Sequence, residues 1–324
     1  MNPPSRPTPG WVTGGSLFEL TFLGTSASAP SIHRGLSAQI VSYRNQRFLI
    51  DCGEGTQRQI LRSGLGFRRL NHILITHGHL DHILGLAGLL STFSRWDTLD
   101  HLEIWAGEWA MERIHDLLFG VVLRGAKPPM QIELHIIEPG LLLEFEDLKV
   151  SAFPVEHRGP GCFGFLFEEP SRRPFVPEHA DALGIPHGPL RSELVTGKKV
   201  KLPDGRTIKP DQVLGPERPG VRYVHIGDCA ETSGLRELCQ DADALVIEAT
   251  YRELERDLAR KFGHLTAAQA AQLAKETGVR QLYLTHLSRR YRERDLLEEA
   301  RQIFPQTTVA RDFDHFQIKR TEAG

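Results

Sequence analysis

The sequence predicts a layered α/β fold. Short apolar segments that suit buried strands alternate with helical segments along most of the chain, and polar residues able to bind a metal follow several of these strands. Periodicity alone does not decide whether the strands form one sheet or two. The chain has 324 residues, 40% of them hydrophobic, and a formal charge of −2, so it can bury a sizeable core in one large domain.

The elements follow one another in a regular order. The apolar segments predict strands at residues 17–22, 37–43, 47–50, 72–75, 102–106, 132–137, 141–145, 148–153, 242–247 and 281–285. The remaining periodic segments predict helices at 57–65, 83–93, 109–119 and 267–277, the last with Thr266 as its N-cap. Residues 1–15 contain four prolines and three glycines without a hydrophobic signal core, and they predict a disordered tail before a domain at 16–324.

A cluster of potential metal ligands follows the strand at 72–75. His77, His79, Asp81 and His82 lie within six residues, in the pattern H-x-H-x-D-H. A polar loop whose histidines only cap the next helix is the alternative, but so many donors in one short loop favour a metal site. Imidazole and carboxylate donors suit zinc first, with manganese possible.

The spacing within this cluster predicts two ions. His77 and His79 alternate in an extended loop and can reach one ion, whereas Asp81 and His82 are adjacent and diverge toward a second ion about 3.5–4 Å away. Four local ligands are too few for two ions, so more are expected at other strand ends. The candidates at the ends of apolar runs are His157, Asp228 and His286.

Four segments give the sequence a family resemblance. They are F-L-G-T at 22–25, D-C-G-E-G-T-Q-R-Q at 51–59, E-A-T-Y at 248–251 and L-T-H-L-S-R-R-Y at 284–291. Together with the H-x-H-x-D-H element, they resemble the ribonuclease Z family of tRNA 3′-processing endonucleases, within the metallo-β-lactamase superfamily. The resemblance runs from about residue 17 to residue 316. It implies an αββα sandwich with two zinc ions at one edge of two facing sheets, a precursor tRNA substrate and a homodimer.

The resemblance suggests a mechanism for phosphodiester hydrolysis. We expect one ion at His77, His79 and His157, the other at Asp81, His82 and His286, and Asp228 between them. Asp81 would orient the attacking water and accept its proton. His264, held by Glu248, would protonate the departing 3′-oxygen, because a carboxylate beside an imidazole makes a proton-delivery pair. Only Glu248 and His264 are carried over here, since Ile247 stands where many relatives have histidine; a capping histidine beside an unrelated glutamate remains the alternative.

Three residues are candidates for binding substrate phosphate. Arg290 and Tyr291 come shortly after His286, although exposed charges at a helix start would look the same. Arg34 lies in the segment 30–35, which matches a family loop that handles the tRNA 3′ end, except for Ile32 and Gly35. Those two departures leave the treatment of CCA-ending tRNA open. Asp51 is either a partner for a ligand imidazole or a plain acidic residue before a helix.

Residues 170–220 interrupt the alternating pattern. They are rich in glycine and proline, and residues 191–222 contain eight basic and four acidic side chains. Two short runs, 198–202 and 206–209, predict a hairpin on a projecting arm. A solvated insertion is one interpretation; the resemblance favours a flexible arm that binds the tRNA body through its phosphates.

The remaining composition bears on location and on rival functions. Cys52, Cys162, Cys229 and Cys239 show no paired spacing and predict reduced thiols in a cytoplasmic protein, and no apolar run approaches the ~20 residues of a membrane span. The main alternative function is another phosphodiesterase of the same fold, acting on a small or different nucleic-acid substrate. A structural zinc site is disfavoured because the motif contains no cysteine.

Overall fold

The computed structural model describes residues 17–96 and 99–319. The disordered tail predicted at residues 1–15 lies outside them. The strands, numbered in chain order, are β1 Leu17–Gly24, β2 Ala38–Tyr43, β3 Gln46–Ile50, β4 His72–Leu74, β5 His101–Ala106, β6 Gln131–Ile136, β7 Gly140–Phe145, β8 Leu148–Pro154, β9 Phe163–Glu168, β10 Val200–Lys201, β11 Thr207–Ile208, β12 Arg222–His225, β13 Ala244–Glu248, β14 Leu282–Thr285, β15 Thr307–Val309 and β16 His315–Lys319.

Helices lie between several consecutive strands. They are α1 Thr56–Ser63, α2 Leu80–Ile83, α3 Gly85–Trp96, α4 Glu108–His115, α5 Pro177–Ala182, α6 Pro189–Val195, α7 Arg236–Cys239, α8 Arg256–Phe262, α9 Ala267–Glu276 and α10 Glu293–Ile303. A π-helix at Asp116–Leu123 continues α4, and short 3₁₀ turns lie at Pro210–Gln212, Ser233–Leu235 and Glu253–Glu255. The helix predicted at 109–119 therefore changes hydrogen-bonding pattern after His115 and runs to Leu123.

Two seven-stranded sheets form the centre of the molecule. Their strand orders are β16-β1-β2-β3-β4-β5-β6 and β15-β14-β13-β12-β9-β8-β7. In the first sheet β3 to β6 are parallel, and in the second β12 to β15 are parallel. The sequence left open whether there was one sheet or two; the αββα sandwich implied by the resemblance is confirmed.

Three apolar layers hold this sandwich together. The inner faces of the two sheets bury Phe48, Phe167 and Tyr223 against each other. Helices α1, α3 and α4 cover the outer face of the first sheet, and α9 and α10 cover that of the second. The predicted N-cap of α9 is confirmed: the Thr266 hydroxyl accepts the backbone N–H of Gln269 at 3.2 Å.

Parallel strands of both sheets direct their carboxyl ends toward one edge. The loop after β4 carries the H-x-H-x-D-H element, Asp228 follows β12, Glu248 ends β13 and His286 follows β14. In sheets of this kind, side chains beyond the carboxyl ends of parallel strands converge on the same crevice. The topology thus places distant segments of the chain around one site.

Two glycines allow the backbone to close around this edge. A Cβ atom on Gly85 would lie 2.0 Å from the Gly53 carbonyl oxygen, and one on Gly53 would lie 2.5 Å from the Asp81 carbonyl oxygen. Backbone hydrogen bonds fix the same contact, from Cys52 N–H to the His82 carbonyl at 2.7 Å and from Gly85 N–H to the Cys52 carbonyl at 2.8 Å. The D-C-G-E-G segment is therefore packed directly against the helix that carries Asp81 and His82.

The insertion between β9 and β12 is a folded unit. It contains α5, α6 and the hairpin β10–β11, which is shorter than the predicted runs at 198–202 and 206–209. Ala180, Leu194, Val200 and Ile208 pack together in a small apolar core of its own. The sequence did not predict this core, because the apolar residues that form it are scattered among glycines, prolines and charges.

The cysteines and the helices can be compared with two predictions made from composition. All four cysteines are free and buried, which confirms the predicted reduced thiols. No helix in the described part of the chain combines the length and the apolar character that a membrane span requires.

We predict that Gly85→Ala destabilises the protein by about 1–3 kcal/mol, because the added methyl group forces the backbone of residues 52–53 away from the start of α3. Gly120→Ala is the matched control, since a Cβ atom there meets nothing within 4 Å. Urea denaturation measures both variants. Equal midpoints for Gly85→Ala and the wild type would contradict the close approach.

Candidate metal centre

A buried carboxylate positions the loop after β4. Asp51 accepts hydrogen bonds from the Thr76 backbone N–H at 2.8 Å and from the Thr76 hydroxyl at 2.9 and 3.0 Å. Its Oδ2 atom also lies 2.7 Å from His82 Nδ1. Of the two interpretations of Asp51, these contacts favour the partner of a candidate ligand imidazole. His82 therefore presents its other nitrogen, Nε2, to the site.

The first group of donors comes from both sheets. The donor atoms of His77, His79, His157 and Asp228 lie within 4.8 Å of one another. The Nδ1 atom of His157 donates to the Gly263 carbonyl at 2.6 Å, so its Nε2 atom faces the group, 3.6 Å from Asp228 Oδ2. These are the residues that the sequence grouped around a first ion, together with the residue predicted to bridge.

The second group lies on the other side of Asp228. Asp81, His82 and His286 also have donor atoms within 4.8 Å of one another. Asp228 Oδ1 lies 3.2 Å from His286 Nε2 and 3.5 Å from His82 Nε2, while Asp228 Oδ2 faces the first group. The two oxygens of one carboxylate thus point to different donor groups. The assignment of all seven residues as ligands stays a prediction.

Unsatisfied atoms at this position fit a cation. Among the described residues, His82 Nε2, His286 Nε2 and Asp228 Oδ1 are buried and have no hydrogen-bond partner. Each buried polar atom left unpaired costs roughly 1–3 kcal/mol, and all three of these atoms face the same space. A divalent cation would pair with all of them, and the donor set without cysteine suits an open catalytic site rather than a closed structural one.

Burial prepares three imidazoles to act as ligands. Desolvation lowers the pKa of His79 to about 4, and burial likewise lowers the pKa values of His77 and His157. A histidine binds a metal ion through a neutral nitrogen. At neutral pH these three side chains therefore have a lone pair available.

In the second donor group, nearby carboxylates raise the pKa of His82. Burial alone would lower its pKa, but Asp51 and Asp228 outweigh burial and raise the pKa to about 10. Burial would raise the pKa of Asp81, yet the neighbouring imidazoles of His286 and His82 hold that pKa below the ordinary range. In the metal-free protein a proton on His82 therefore supplies positive charge that a bound cation would replace.

The predicted pair of Glu248 and His264 lies beside these groups. His264 Nδ1 is 2.9 Å from Glu248 Oε1, and Glu248 is fully buried. Burial would lower the pKa of His264, but the Glu248 charge and this hydrogen bond raise it to about 9. Thr250, which sequence reasoning did not single out, donates its hydroxyl proton to Glu248 Oε2 at 2.5 Å and lies 3.0 Å from His286 Nδ1.

The candidate phosphate-binding residues differ in availability. The Arg34 guanidinium donates to the Ala310 carbonyl at 2.7 Å and to Glu293 at 2.8 Å, and it is mostly buried. Arg290 is half exposed and pairs with Glu255 at 2.7 Å. Tyr291 is partly buried, with its hydroxyl directed into the protein and unpaired within the described residues. The phosphate-binding role of all three stays a prediction, and Arg34 is the one that the structure commits to internal contacts.

Comparisons with known proteins agree with this architecture. A family model described as a beta-lactamase superfamily domain matches residues 206–287, and one described as anti-Pycsar protein Apyc1 matches residues 18–173. Ribonuclease Z of Bradyrhizobium diazoefficiens is 47% identical over 302 residues, which cover 93% of this chain and 100% of the relative. Ribonuclease Z of Archaeoglobus fulgidus is 38% identical over 310 residues, covering 95% and 100%. The crystal structure of the short form of human tRNase Z superposes with a TM-score of 0.67 and 27% identity, covering 93% of this chain and 100% of that one.

We predict that binding of Zn²⁺ to chelator-treated protein at pH 8 displaces about one proton from His82. The pKa of His82, about 10, keeps this side chain protonated until the cation binds. His79, with a pKa of about 4, has no proton to lose at this pH. Calorimetric titrations in buffers of different ionisation enthalpy count the protons. Asp51→Asn removes the carboxylate that raises the pKa of His82, so this variant should release fewer. Equal release from both proteins would show that Asp51 does not control this proton.

Proposed function

This chain belongs to the ribonuclease Z family, and we propose that it is a hydrolytic endoribonuclease that removes the 3′ trailer from precursor tRNA. The observation that carries the proposal is the convergence of two His/Asp donor groups, with the pair of Glu248 and His264 beside them, at one edge of both sheets. Cleavage would leave a 3′-hydroxyl on the tRNA and a 5′-phosphate on the trailer.

Seven side chains would hold two divalent ions. We assign them as His77, His79 and His157 for one ion, Asp81, His82 and His286 for the other, and Asp228 between the two. Zinc is the first candidate and manganese the second, because imidazole and carboxylate donors suit both. Bound ions would supply Lewis-acid stabilisation of the negative charge that develops on the scissile phosphate.

Asp81 orients the attacking water and accepts its proton in this proposal. Its low pKa makes it a carboxylate at neutral pH, as a proton acceptor must be. The Ser28 backbone N–H donates to Asp81 Oδ2 at 2.9 Å and limits how that carboxylate can turn. The loop 24–35 thus contributes to the position of the base, although it carries none of the donor residues.

His264 delivers a proton to the departing 3′-oxygen. With a pKa of about 9, it is protonated at neutral pH. Glu248 accepts from the Cys229 backbone N–H at 2.7 Å as well as from Thr250, so the carboxylate that holds His264 Nδ1 is itself fixed. The other ring nitrogen, Nε2, is then the one that reaches the substrate.

The folded insertion is proposed to bind the body of the tRNA. On its surface Lys198, Lys199 and Lys201 are exposed and have no carboxylate partner among the described residues. Exposed cations of this kind neutralise phosphates without reading sequence. We also propose a homodimer in which the insertion of one subunit serves the active site of the other, and a cytoplasmic location consistent with four free thiols.

We predict that the protein cleaves a precursor tRNA with a 3′ trailer close to the last base of the mature tRNA, and that a chelator stops the reaction. Mapping both new ends tests the chemistry and also shows whether a CCA-ending tRNA is spared. Asp81→Asn should lose cleavage while retaining tRNA binding in a gel-shift assay. Turnover of bis(p-nitrophenyl) phosphate without any cut in precursor tRNA would select the alternative phosphodiesterase function.

We predict that the triple substitution of Lys198, Lys199 and Lys201 by alanine raises KM for precursor tRNA about tenfold or more at moderate salt. The salt dependence of KM should also become weaker, because fewer counterions are released when the tRNA binds. Hydrolysis of bis(p-nitrophenyl) phosphate should not change. A triple alanine variant of Lys127, Lys275 and Lys319, which are exposed outside the insertion, is the matched control. Equal KM values for the two triple variants would remove the insertion from tRNA binding.

A further inference from the structure

Arg158 occupies the mouth of the site, next to the candidate ligand His157. Its side chain is exposed, and its stem runs along the backbone at Gly263, where an added Cβ atom would lie 3.1 Å from Arg158 Cγ. The guanidinium carbon is 5.8 Å from the centre of the Phe262 ring. Phe262 and Gly263 directly precede His264, so the Arg158 side chain extends on the His264 side of the metal centre.

Arg158 differs from the two arginines that the sequence selected for phosphate binding. Arg34 is paired with Glu293 and Arg290 with Glu255. In the described residues, Arg158 has neither an ion pair nor a hydrogen bond, and its packing against Phe262 leaves its N–H groups in solvent. A guanidinium has five donors in a planar fork that suits phosphate. Of these three arginines, Arg158, which sequence reasoning passed over, is thus the one with its donors free.

The position of this charge is unfavourable for the protein alone. Burial and repulsion from Arg158 both work to lower the pKa of His264 against the effect of Glu248; at Tyr251 burial raises the pKa, and the Arg158 charge works to lower it by favouring the phenolate. The ring of Tyr251 lies 6.0 Å from that of His264, so the three side chains share one region. An anion that binds at Arg158 would remove this repulsion and favour the protonated form of His264.

We propose that Arg158 binds a substrate phosphate on the tRNA side of the cut, namely the phosphate on the 5′ side of the last nucleotide of the mature tRNA. This inference rests on the proposed function, since it takes His264 as the donor to the departing 3′-oxygen. The nucleotide that carries that oxygen must lie beside His264, and its 5′-phosphate is the next anion along the strand. Arg158 is then a substrate-binding residue that holds the leaving group against its proton donor.

The test compares two substrates and three proteins. The substrates are a precursor minihelix RNA and the same RNA with that one phosphate replaced by a neutral methylphosphonate; the proteins are the wild type, Arg158→Gln and Arg158→Lys. Arg158→Gln keeps the packed stem and removes the charge, so we expect kcat/KM on the all-phosphate RNA to fall about tenfold or more. Arg158→Lys should recover part of this loss.

Non-additivity identifies the phosphate. If Arg158 binds it, wild-type protein loses a similar factor on the methylphosphonate RNA, and Arg158→Gln loses little more on that RNA. Hydrolysis of bis(p-nitrophenyl) phosphate should be unchanged, because this substrate has no neighbouring phosphate. Additive losses, an equal loss on the small diester, or wild-type kcat/KM for Arg158→Gln would each overturn the inference.

Two controls separate this inference from the proposed function. Arg260→Gln removes another guanidinium near Phe262, one that is 83% exposed and paired with Asp257 at 3.2 Å, and it should retain wild-type kcat/KM. An equal loss in Arg260→Gln would reduce the effect to general surface charge and overturn the specific contact. If the wild type does not cut the minihelix or full-length precursor tRNA, the proposed function fails, and this inference fails with it.

Discussion

The buried carboxylate of Asp228 is the interaction on which the catalytic edge depends. Removing a carboxylate from water costs several kcal/mol unless positive charge lies close to it. Five imidazoles, from His77, His82, His157, His264 and His286, have a nitrogen within 3.2 to 3.8 Å of its two oxygens. Without a metal, the protons on His82 and His264 supply the charge; a bound cation would take the place of the proton on His82. Either arrangement requires loops from both sheets to end at this edge.

Each sheet fixes its part of the site with the same device. In the first sheet, Asp51 follows β3, accepts the Thr76 hydroxyl and holds Nδ1 of His82. In the second, Glu248 ends β13, accepts the Thr250 hydroxyl and holds Nδ1 of His264. The outcome differs, because His82 turns its free nitrogen toward Asp81 and Asp228, whereas His264 lies beside the two donor groups.

The surroundings of the second ring nitrogen distinguish the candidate metal ligand, His82, from the candidate proton donor, His264. Both imidazoles have a raised pKa because a carboxylate holds one nitrogen. The Nε2 atom of His82 is unpaired and buried against Asp228 and Asp81, where a bound cation would pair with it. His264 keeps 6% of its surface exposed and lies beside Tyr251, whose ring is 6.0 Å away, and Gly263, against which the exposed Arg158 side chain packs. The same local chemistry can therefore serve two roles, depending on what the second nitrogen faces.

Sequence reasoning predicted the parts of this arrangement that short-range patterns encode. The αββα class and the family resemblance are confirmed, since alternating strands, strand-end histidines and the D-C-G-E-G-T-Q segment are local features. Contacts between distant segments were not accessible. Arg34 is hydrogen-bonded to Ala310 and Glu293, more than 250 residues away, and the sequence around Arg34 does not predict these partners. The core of the insertion and the change to a π-helix after His115 likewise depend on tertiary packing.

The availability of each arginine also depends on contacts between distant segments, so counting basic residues in the sequence does not locate an RNA-binding site. The pair of Arg290 and Glu255 is exposed, and such pairs contribute only about 0–1 kcal/mol, so a phosphate can replace Glu255 at little cost. Arg34 is largely buried with several acceptors, and withdrawing it would leave Glu293 and the Ala310 carbonyl without their partner. Its loop also carries Ser28, which holds Asp81. In a chain with a net charge of −2, an arginine is available to RNA where the fold leaves its donors unpaired or in an exposed pair that a phosphate can replace.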